Sequence, residues 1–283
     1  MSFSAPAAVK PEPAVTSDSA APRRVGRALD DLSLGFRRWR LPVALAQLDI
    51  RNRYRGSVLG PMWLTLSTAV TFLALGFLYS TLFKMNLQEY LPFLVVSLIL
   101  WNVFSQVISE ACTSLTSAEG IIRQVPLPFT VHALRCLMRN AVIAAHNLPL
   151  ILVVFVIFGI NPGLVALLAI PGMLLFVLNA FALVMFLGML CARFRDIGPI
   201  VNTVTQLAFF ISPVIWKPEL LQERQVWLVL NPAFDLMEVV RGPLLGQSPG
   251  LMIWAAAMLI TAVVCGLSFA FFVRFRGRIA FWV

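Results

Sequence analysis

The chain has 283 residues, is 59% hydrophobic and only 12% charged, and has a mean hydropathy of +0.86. Soluble domains carry roughly a quarter charged residues, so this composition excludes an ordinary soluble fold and indicates a membrane protein. The net charge is +9 and the pI about 10.3, but the basic residues lie between long apolar runs, which argues against nucleic acid as a partner.

Residues Met1 to Pro22 are rich in Ala, Pro and Ser and lack the apolar stretch of a secretory signal. Residues 1–30 are expected to form a disordered cytoplasmic tail. Residues 31–55 read as an amphipathic interface helix. Phe36, Trp39, Val43, Ala46 and Ile50 recur at steps of three and four, with Arg37, Arg40, Gln47 and Arg51 off that stripe. Pro42 is a point where this helix can kink or split. The alternative is a soluble linker helix.

Residues 56–276 form the expected membrane domain, and residues 277–283 a cytoplasmic C-terminal tail. A spanning helix needs about 20 apolar residues. Six stretches meet or approach this: Pro61–Phe83, Leu91–Ile108, Asn140–Phe158, Leu164–Ala192, Ile197–Trp216 and Leu251–Val273. None contains Asp, Glu, Lys or Arg. They do not alternate as barrel strands would, and closed helices satisfy their own backbone in lipid. The predicted fold is therefore an all-α polytopic membrane protein of six spans.

With the N-terminus inside, only Lys84, Lys217, Arg224 and Arg241 of the 22 Lys and Arg fall outside. The positive-inside rule then places both termini in the cytoplasm. Cys112, Cys136, Cys191 and Cys265 form no CxxC pair and read as small buried residues.

The loop from Glu110 to Arg139 is cytoplasmic in this topology. Within it, Ser117-Ala118-Glu119-Gly120-Ile121-Ile122-Arg123 has an N-cap-like Ser followed by an acidic residue, then Pro126 and Pro128. The pattern predicts a short helix stopped by prolines, suited either to a groove on a partner or to rest on lipid. The longest outer loop, Lys217 to Gly250, is too apolar for a plain loop and is interrupted at Asn231-Pro232. It predicts two short helices dipping into the outer leaflet. Glu219, Glu223, Asp235 and Glu238 in this loop read as solvated helix faces.

The spans hold no ionisable group except His146, which is expected to bond a backbone carbonyl or Asn147. No GxxxxGK[ST] loop is present, because none of Lys10, Lys84 and Lys217 follows a glycine. A transporter with neither ion-coupling charges nor an ATP site implies a separate energy-supplying subunit. No cofactor is expected in the chain itself, nor a catalytic or metal-binding set.

The segment Arg51-Asn52-Arg53-Tyr54-Arg55-Gly56-Ser57-Val58-Leu59-Gly60-Pro61-Met62-Trp63 carries the pattern R-x-R-Y-x-x-S-x-L-G-x-x-W. It resembles the start of the membrane domain in type-2 ABC transporter permeases, specifically the O-antigen and capsular polysaccharide exporters. Ile121 to Pro128 resembles that family's coupling helix and its exit. Asn231-Pro232, with Arg241 and Leu244-Leu245-Gly246, resembles its re-entrant outer segment. The resemblance covers roughly Asp49 to Arg276.

The resemblance implies a homodimer of six-span subunits in the inner membrane, joined to two ATP-binding cassette ATPase subunits that carry ATP and Mg. It implies a channel lined by the first and fifth spans and a substrate that is a lipid-linked glycan. Ser117, Glu119, Gly120, Ile121, Ile122 and Arg123 would couple to the ATPase. Arg51, Arg53, Tyr54 and Arg55 would meet the lipid-linked (pyro)phosphate, because Arg forks suit phosphate oxygens. Anchoring on anionic membrane lipid is the alternative for these arginines. Trp63, Phe72, Phe77, Tyr79, Phe209 and Phe210 are candidates for the channel lining, with core packing and interfacial belts as the alternative. Rival functions are a permease of the same fold for drugs, lipids or heme, and a membrane-embedded glycosyltransferase.

Overall fold

The computed structural model describes residues 21–58, 60, 62–82 and 84–283. Residues 1–20 of the expected tail, together with Leu59, Pro61 and Phe83, lie outside the described residues. Among the described residues the chain is helical, with no strand. Two helices precede the apolar runs, α1 (Ala21–Arg37) and α2 (Arg40–Arg53). They are followed by α3 (Met62–Leu82), α4 (Leu87–Thr113), the short α5 (Glu119–Gln124), α6 (Phe129–Phe158) and α7 (Ala169–Arg193). The chain ends with α8 (Ile197–Ile211), α9 (Pro232–Leu244), α10 (Leu251–Phe275) and α11 (Ile279–Trp282).

Among the described residues, five helical segments are long and apolar enough to cross a membrane: Thr65–Leu82, Leu87–Thr113, Phe129–Phe158, Gly163–Arg193 and Leu251–Trp282. The fifth stretch of the sequence reading, Ile197–Trp216, is shorter than expected. Its helix stops at Ile211 because Ser212 turns extended (φ −84°, ψ 144°) ahead of Pro213. A helix of 15 residues is about 22 Å long, short of a hydrocarbon core of about 30 Å.

The N-terminal region also departs from expectation. Ala21 to Asp30 is helical where a disordered tail is expected, and the interface helix is two helices that part at Arg38 and Trp39. The cause is tertiary. Pro128 cannot cap α6 with a side chain, so the first N–H groups of α6 need another acceptor. Asp31 on α1 supplies it, accepting from Phe129 N at 3.2 Å, Thr130 N at 3.0 Å and Thr130 Oγ1 at 2.8 Å. Arg276, just beyond α10, donates to the same carboxylate at 2.8 Å. Gly35 lets α1 approach this closely, because a Cβ there would lie 2.6 Å from Thr130 Cβ.

α4 is the central helix. Tyr90 through Trp101 are buried on every face, the mark of a helix enclosed by others. It starts at Asn86, whose side chain accepts from Gln88 N at 3.0 Å. α7 packs beside it, and Gly188 meets Ser114 there. Polar side chains join the helices as well. Asn179 donates to Thr261 Oγ1 at 2.6 Å, and Ser268 to Ala182 O at 2.8 Å.

The segment before α10 matches the expected break. A 3₁₀ stretch at Pro218–Leu230 ends at Asn231, whose side chain accepts from Ala233 N and Phe234 N to cap α9, with Pro232 at the first helical position. Glu219 and Glu223 are exposed as expected, and the expected solvation is corrected for the other two acids. The Asp235 carboxyl is buried with neither oxygen hydrogen-bonded among the described residues, and Glu238 pairs with Arg241. Arg241, counted among the outer-side basic residues, is fully buried. Its guanidinium donates to Ser97 Oγ at 2.9 Å and to Pro213 O at 2.6 Å and lies 4.4 Å from the Phe93 ring centroid. It therefore ties α9 to α4 and to the end of α8.

α9 crosses α7 at Gly172, where a Cβ would lie 2.2 Å from Val239 O. That neighbour is backbone and cannot swing aside. Gly172→Ala should lower stability by about 1–3 kcal/mol through overpacking, seen as a lower melting temperature in detergent. An unchanged melting temperature would refute this crossing.

Candidate functional site

A cavity of about 810 Å³ opens between α3, α4, α6 and α8. Its wall is unusual for a helix bundle in lipid. Ser67, Thr68 and Thr71 come from α3, Asn102, Ser105, Gln106 and Ser109 from α4, Asn140 and Asn147 from α6, and Asn202, Thr205 and Gln206 from α8. These side chains both donate and accept hydrogen bonds, and none is ionised. Trp101, Phe209 and Phe210 supply aromatic faces, with Trp101 and Phe209 centroids 5.6 Å apart.

The residue spacing explains the polar wall. Asn102, Ser105, Gln106 and Ser109 recur at steps of three and four, which stacks them on one face of α4. Asn202, Thr205 and Gln206 do the same on α8, and Ser67, Thr68 and Thr71 on α3. The remaining faces of α3 and α8 are apolar and exposed, including Val70, Leu73, Phe77, Ile200, Val204 and Leu207.

Of the aromatic candidates, Phe209 and Phe210 line the cavity. Phe72 is buried in the core, with Tyr79 packed against that core. Trp63 and Phe77 are exposed on the outside of α3. Trp101 also lines the cavity and is not among the candidates, because it belongs to the second apolar stretch and the candidates come from the first and fifth. The polar stripes were legible in the sequence as helical spacing of Ser, Thr, Asn and Gln.

An ion network that the sequence reading does not contain adjoins the cavity through Asn140. Asn140, in the cavity wall, donates to Glu110 Oε2 at 2.7 Å. Arg139 donates to the same oxygen from Nε at 2.9 Å and Nη2 at 2.7 Å, and from Nη1 to Asp49 at 2.7 Å. Arg135 forks onto Asp49, with Nε at 2.7 Å and Nη2 at 2.5 Å. Arg53 donates to Glu110 Oε1 at 2.8 Å. Burial works against the Asp49 charge, but the hydrogen bonds and charges of Arg135 and Arg139 outweigh it and hold that carboxyl below the usual aspartate range. The network was overlooked because α4 runs past Glu110 to Thr113 and α6 begins at Phe129, both beyond the uncharged runs.

Among the four candidates for phosphate contact, only Arg53 joins this network. Arg51 and Arg55 are exposed, and Tyr54 is a half-buried C-cap of α2.

The short helix α5 lies between α4 and α6, as the prolines predict. Ser117 does not cap it. Its hydroxyl bonds back to Ser114 O at 3.5 Å inside a 3₁₀ turn, Thr116–Ala118, and Ala118 holds the cap position. Glu119, Gly120 and Arg123 are exposed, and Ile121 and Ile122 are half-buried. Arg123 pairs with Glu119 at 2.8 Å and donates to Val283 O at 2.8 Å. A second cavity, of about 580 Å³, is lined by Glu110, Glu119, Arg195 and Val283 and so joins the ion network to α5. His146 bonds Val142 O at 2.7 Å, one of the two outcomes expected for it.

A family model described as ABC-2 type transporter matches residues 42–245. An O-antigen export system permease protein RfbA of Myxococcus xanthus is 28% identical over 200 residues, which cover 70% of this chain and 77% of that protein. A protein of the same name from Klebsiella pneumoniae is 23% identical over 202 residues, with the same two coverages.

Arg139 is the hinge of the ion network, since both acids depend on it. Arg139→Ala should destabilise the fold by about 3 kcal/mol, because Glu110 loses its bidentate partner in a mostly buried place. Thermal unfolding in detergent measures this, and a loss well under 1 kcal/mol would show the network to be dispensable.

Proposed function

The chain belongs to the ABC-2 type transporter family, and from that membership we propose that it is the membrane permease subunit of an exporter of lipid-linked polysaccharide, of the O-antigen or capsular kind. The observation that carries this reading is the cavity lined by hydroxyl and amide side chains with aromatic faces. A glycan offers the complementary surface, hydroxyl edges and apolar ring faces. The names of the Myxococcus and Klebsiella relatives point the same way.

In this reading α8 and the turn to Trp216 form the fifth of six spans, and Pro218–Leu230 with α9 re-enters from the outer side. The protein sits in the inner membrane with both termini in the cytoplasm. Two copies face each other through the exposed apolar sides of α3 and α8 and enclose the cavity as a channel. That role for α3 and α8 gives their exposed Val, Leu, Ile and Phe a partner.

The chain is a transport subunit, and ATP and Mg belong to a partner ATPase, present in two copies. It docks on Ser117 to Arg123, where Glu119, Gly120 and Arg123 are exposed. ATP binding moves the dimer between gate states only to the extent that the partner contacts those states differently. Arg51, Arg53, Tyr54 and Arg55 stand where a lipid-linked phosphate enters.

Cells lacking the chain should accumulate lipid-linked polysaccharide on the cytoplasmic side and lose it from the surface, read by surface labelling and lipid extraction. Unchanged surface polysaccharide with loss of drug efflux would sink the reading in favour of a drug permease. Glu119→Arg combined with Ile121→Asp should abolish export and co-purification of the ATPase while the melting temperature stays put. Retained co-purification would displace the docking site from α5.

A further inference from the structure

We propose that Glu110 is a placeholder for phosphate. Its carboxylate occupies Arg53 until the phosphate or pyrophosphate of the lipid carrier takes that guanidinium, and the exchange reports loading to α5. The inference rests on the export reading above and adds the regulation of its entrance.

The two oxygens of Glu110 are used unequally. Oε2 accepts two N–H groups of Arg139 and the amide of Asn140, whereas Oε1 accepts only Arg53. The Arg53 side chain is 43% exposed and that of Arg139 is 16%. If Arg53 leaves, Glu110 keeps Arg139 and Asn140, so no charge is stranded. If Arg139 left, Glu110 and Asp49 would both lose a partner inside the protein. The network therefore has one bond that opens at lower cost than the others, because its basic partner is half in solvent and its acidic partner keeps other donors.

Chemistry selects the competitor. A carboxylate and a phosphate present the same paired oxygens to a guanidinium fork, and the phosphate carries more charge. Three arginines face two acids in the network, Arg53, Arg135 and Arg139 against Asp49 and Glu110, leaving one positive charge in excess to attract an anion.

Position then links binding to output. Ser109 and Asn140 line the large cavity, whereas Glu110 and Glu119 line the smaller one. Glu110 lies in the last turn of α4, which ends at Thr113 and leads through Thr116–Ala118 directly into α5. Releasing Oε1 alters the restraint on that turn.

The test uses the full chain in phosphatidylcholine nanodiscs, titrated with a polyprenyl pyrophosphate. Polyprenol, inorganic pyrophosphate and phosphatidylglycerol are the comparison ligands. Glu110→Gln should bind the polyprenyl pyrophosphate about tenfold tighter and Arg53→Gln about tenfold weaker, with polyprenol unchanged in both. A wild-type chain that does not distinguish the pyrophosphate from polyprenol removes the export reading and this inference together. A wild type that does distinguish them, with Glu110→Gln unchanged or weaker, overturns the placeholder alone. An equal response to phosphatidylglycerol or to inorganic pyrophosphate overturns it too, since the site is then a general anion site.

Hydrogen exchange on the wild-type chain gives a second readout that needs no variant to fold. Adding the polyprenyl pyrophosphate should raise exchange across Thr116–Gln124. Unaltered exchange there overturns the signalling step.

Discussion

Glu110 and Arg139 hold each other's charge where α4 and α6 cross, and Asp49 and Arg53 bring α2 to the same point. The constraint behind this governs the whole bundle. A side chain that leaves water while ionised must find its counter-charge and fill its remaining hydrogen bonds. Arg241 meets it with Glu238, Ser97 and a backbone carbonyl. Asp31 meets it with Arg276 and the bare N–H groups of α6. Each cluster joins elements distant in sequence, so the charged groups set which helices meet and the apolar surface fills the space between. The Asp235 carboxyl, buried with neither oxygen hydrogen-bonded among the described residues, has no such partners and is favoured in its neutral form.

The same constraint explains which parts of the fold were legible in the sequence. Uncharged runs such as Leu164–Ala192 mark spans well, because apolar length is the signal and burial in lipid or protein is the cause. Ends were misplaced where a charge belongs to a helix but is neutralised from elsewhere. Glu110 looked like the start of a loop and Arg139 like its finish. Only their pairing shows that both helices continue. Likewise Ala21–Asp30 has the composition of a tail, and Asp31 gives it a docking site that no local pattern announces. The break at Asn231-Pro232 was readable because the cap is local.

The candidate site divides in the same way. The stop at Pro126 and Pro128 and the short helix α5 are local features, and the sequence reading located them. The cavity requires α3, α4, α6 and α8 to be brought together. Its polar stripes follow helical spacing and are a signal the sequence holds but the sequence reading did not use, whereas their convergence has no local signal. The aromatic residues singled out by type and by their place in the first and fifth spans take three environments: Phe209 and Phe210 reach the cavity, Phe72 is buried in the core, and Trp63 and Phe77 are exposed on α3. Residue type names a capacity, and packing decides whether the capacity is used.

The neutrality of the cavity wall bears on how a long polar chain could move through it. A surface that conducts must bind well enough to admit and weakly enough to release. A fixed charge in a low-dielectric wall would bind any counter-charge strongly and hold it. Hydroxyl and amide groups both donate and accept, so one sugar hydroxyl can be exchanged for the next with little change in energy. Aromatic rings such as Phe209 and Phe210 add apolar contact that has little directional preference along the path. The arginines and carboxylates are instead gathered at one end, beyond Asn140, where a single charged headgroup would be recognised once. On the proposed export reading, separating a charged end from a neutral passage in this way would keep selection and movement from competing for the same side chains.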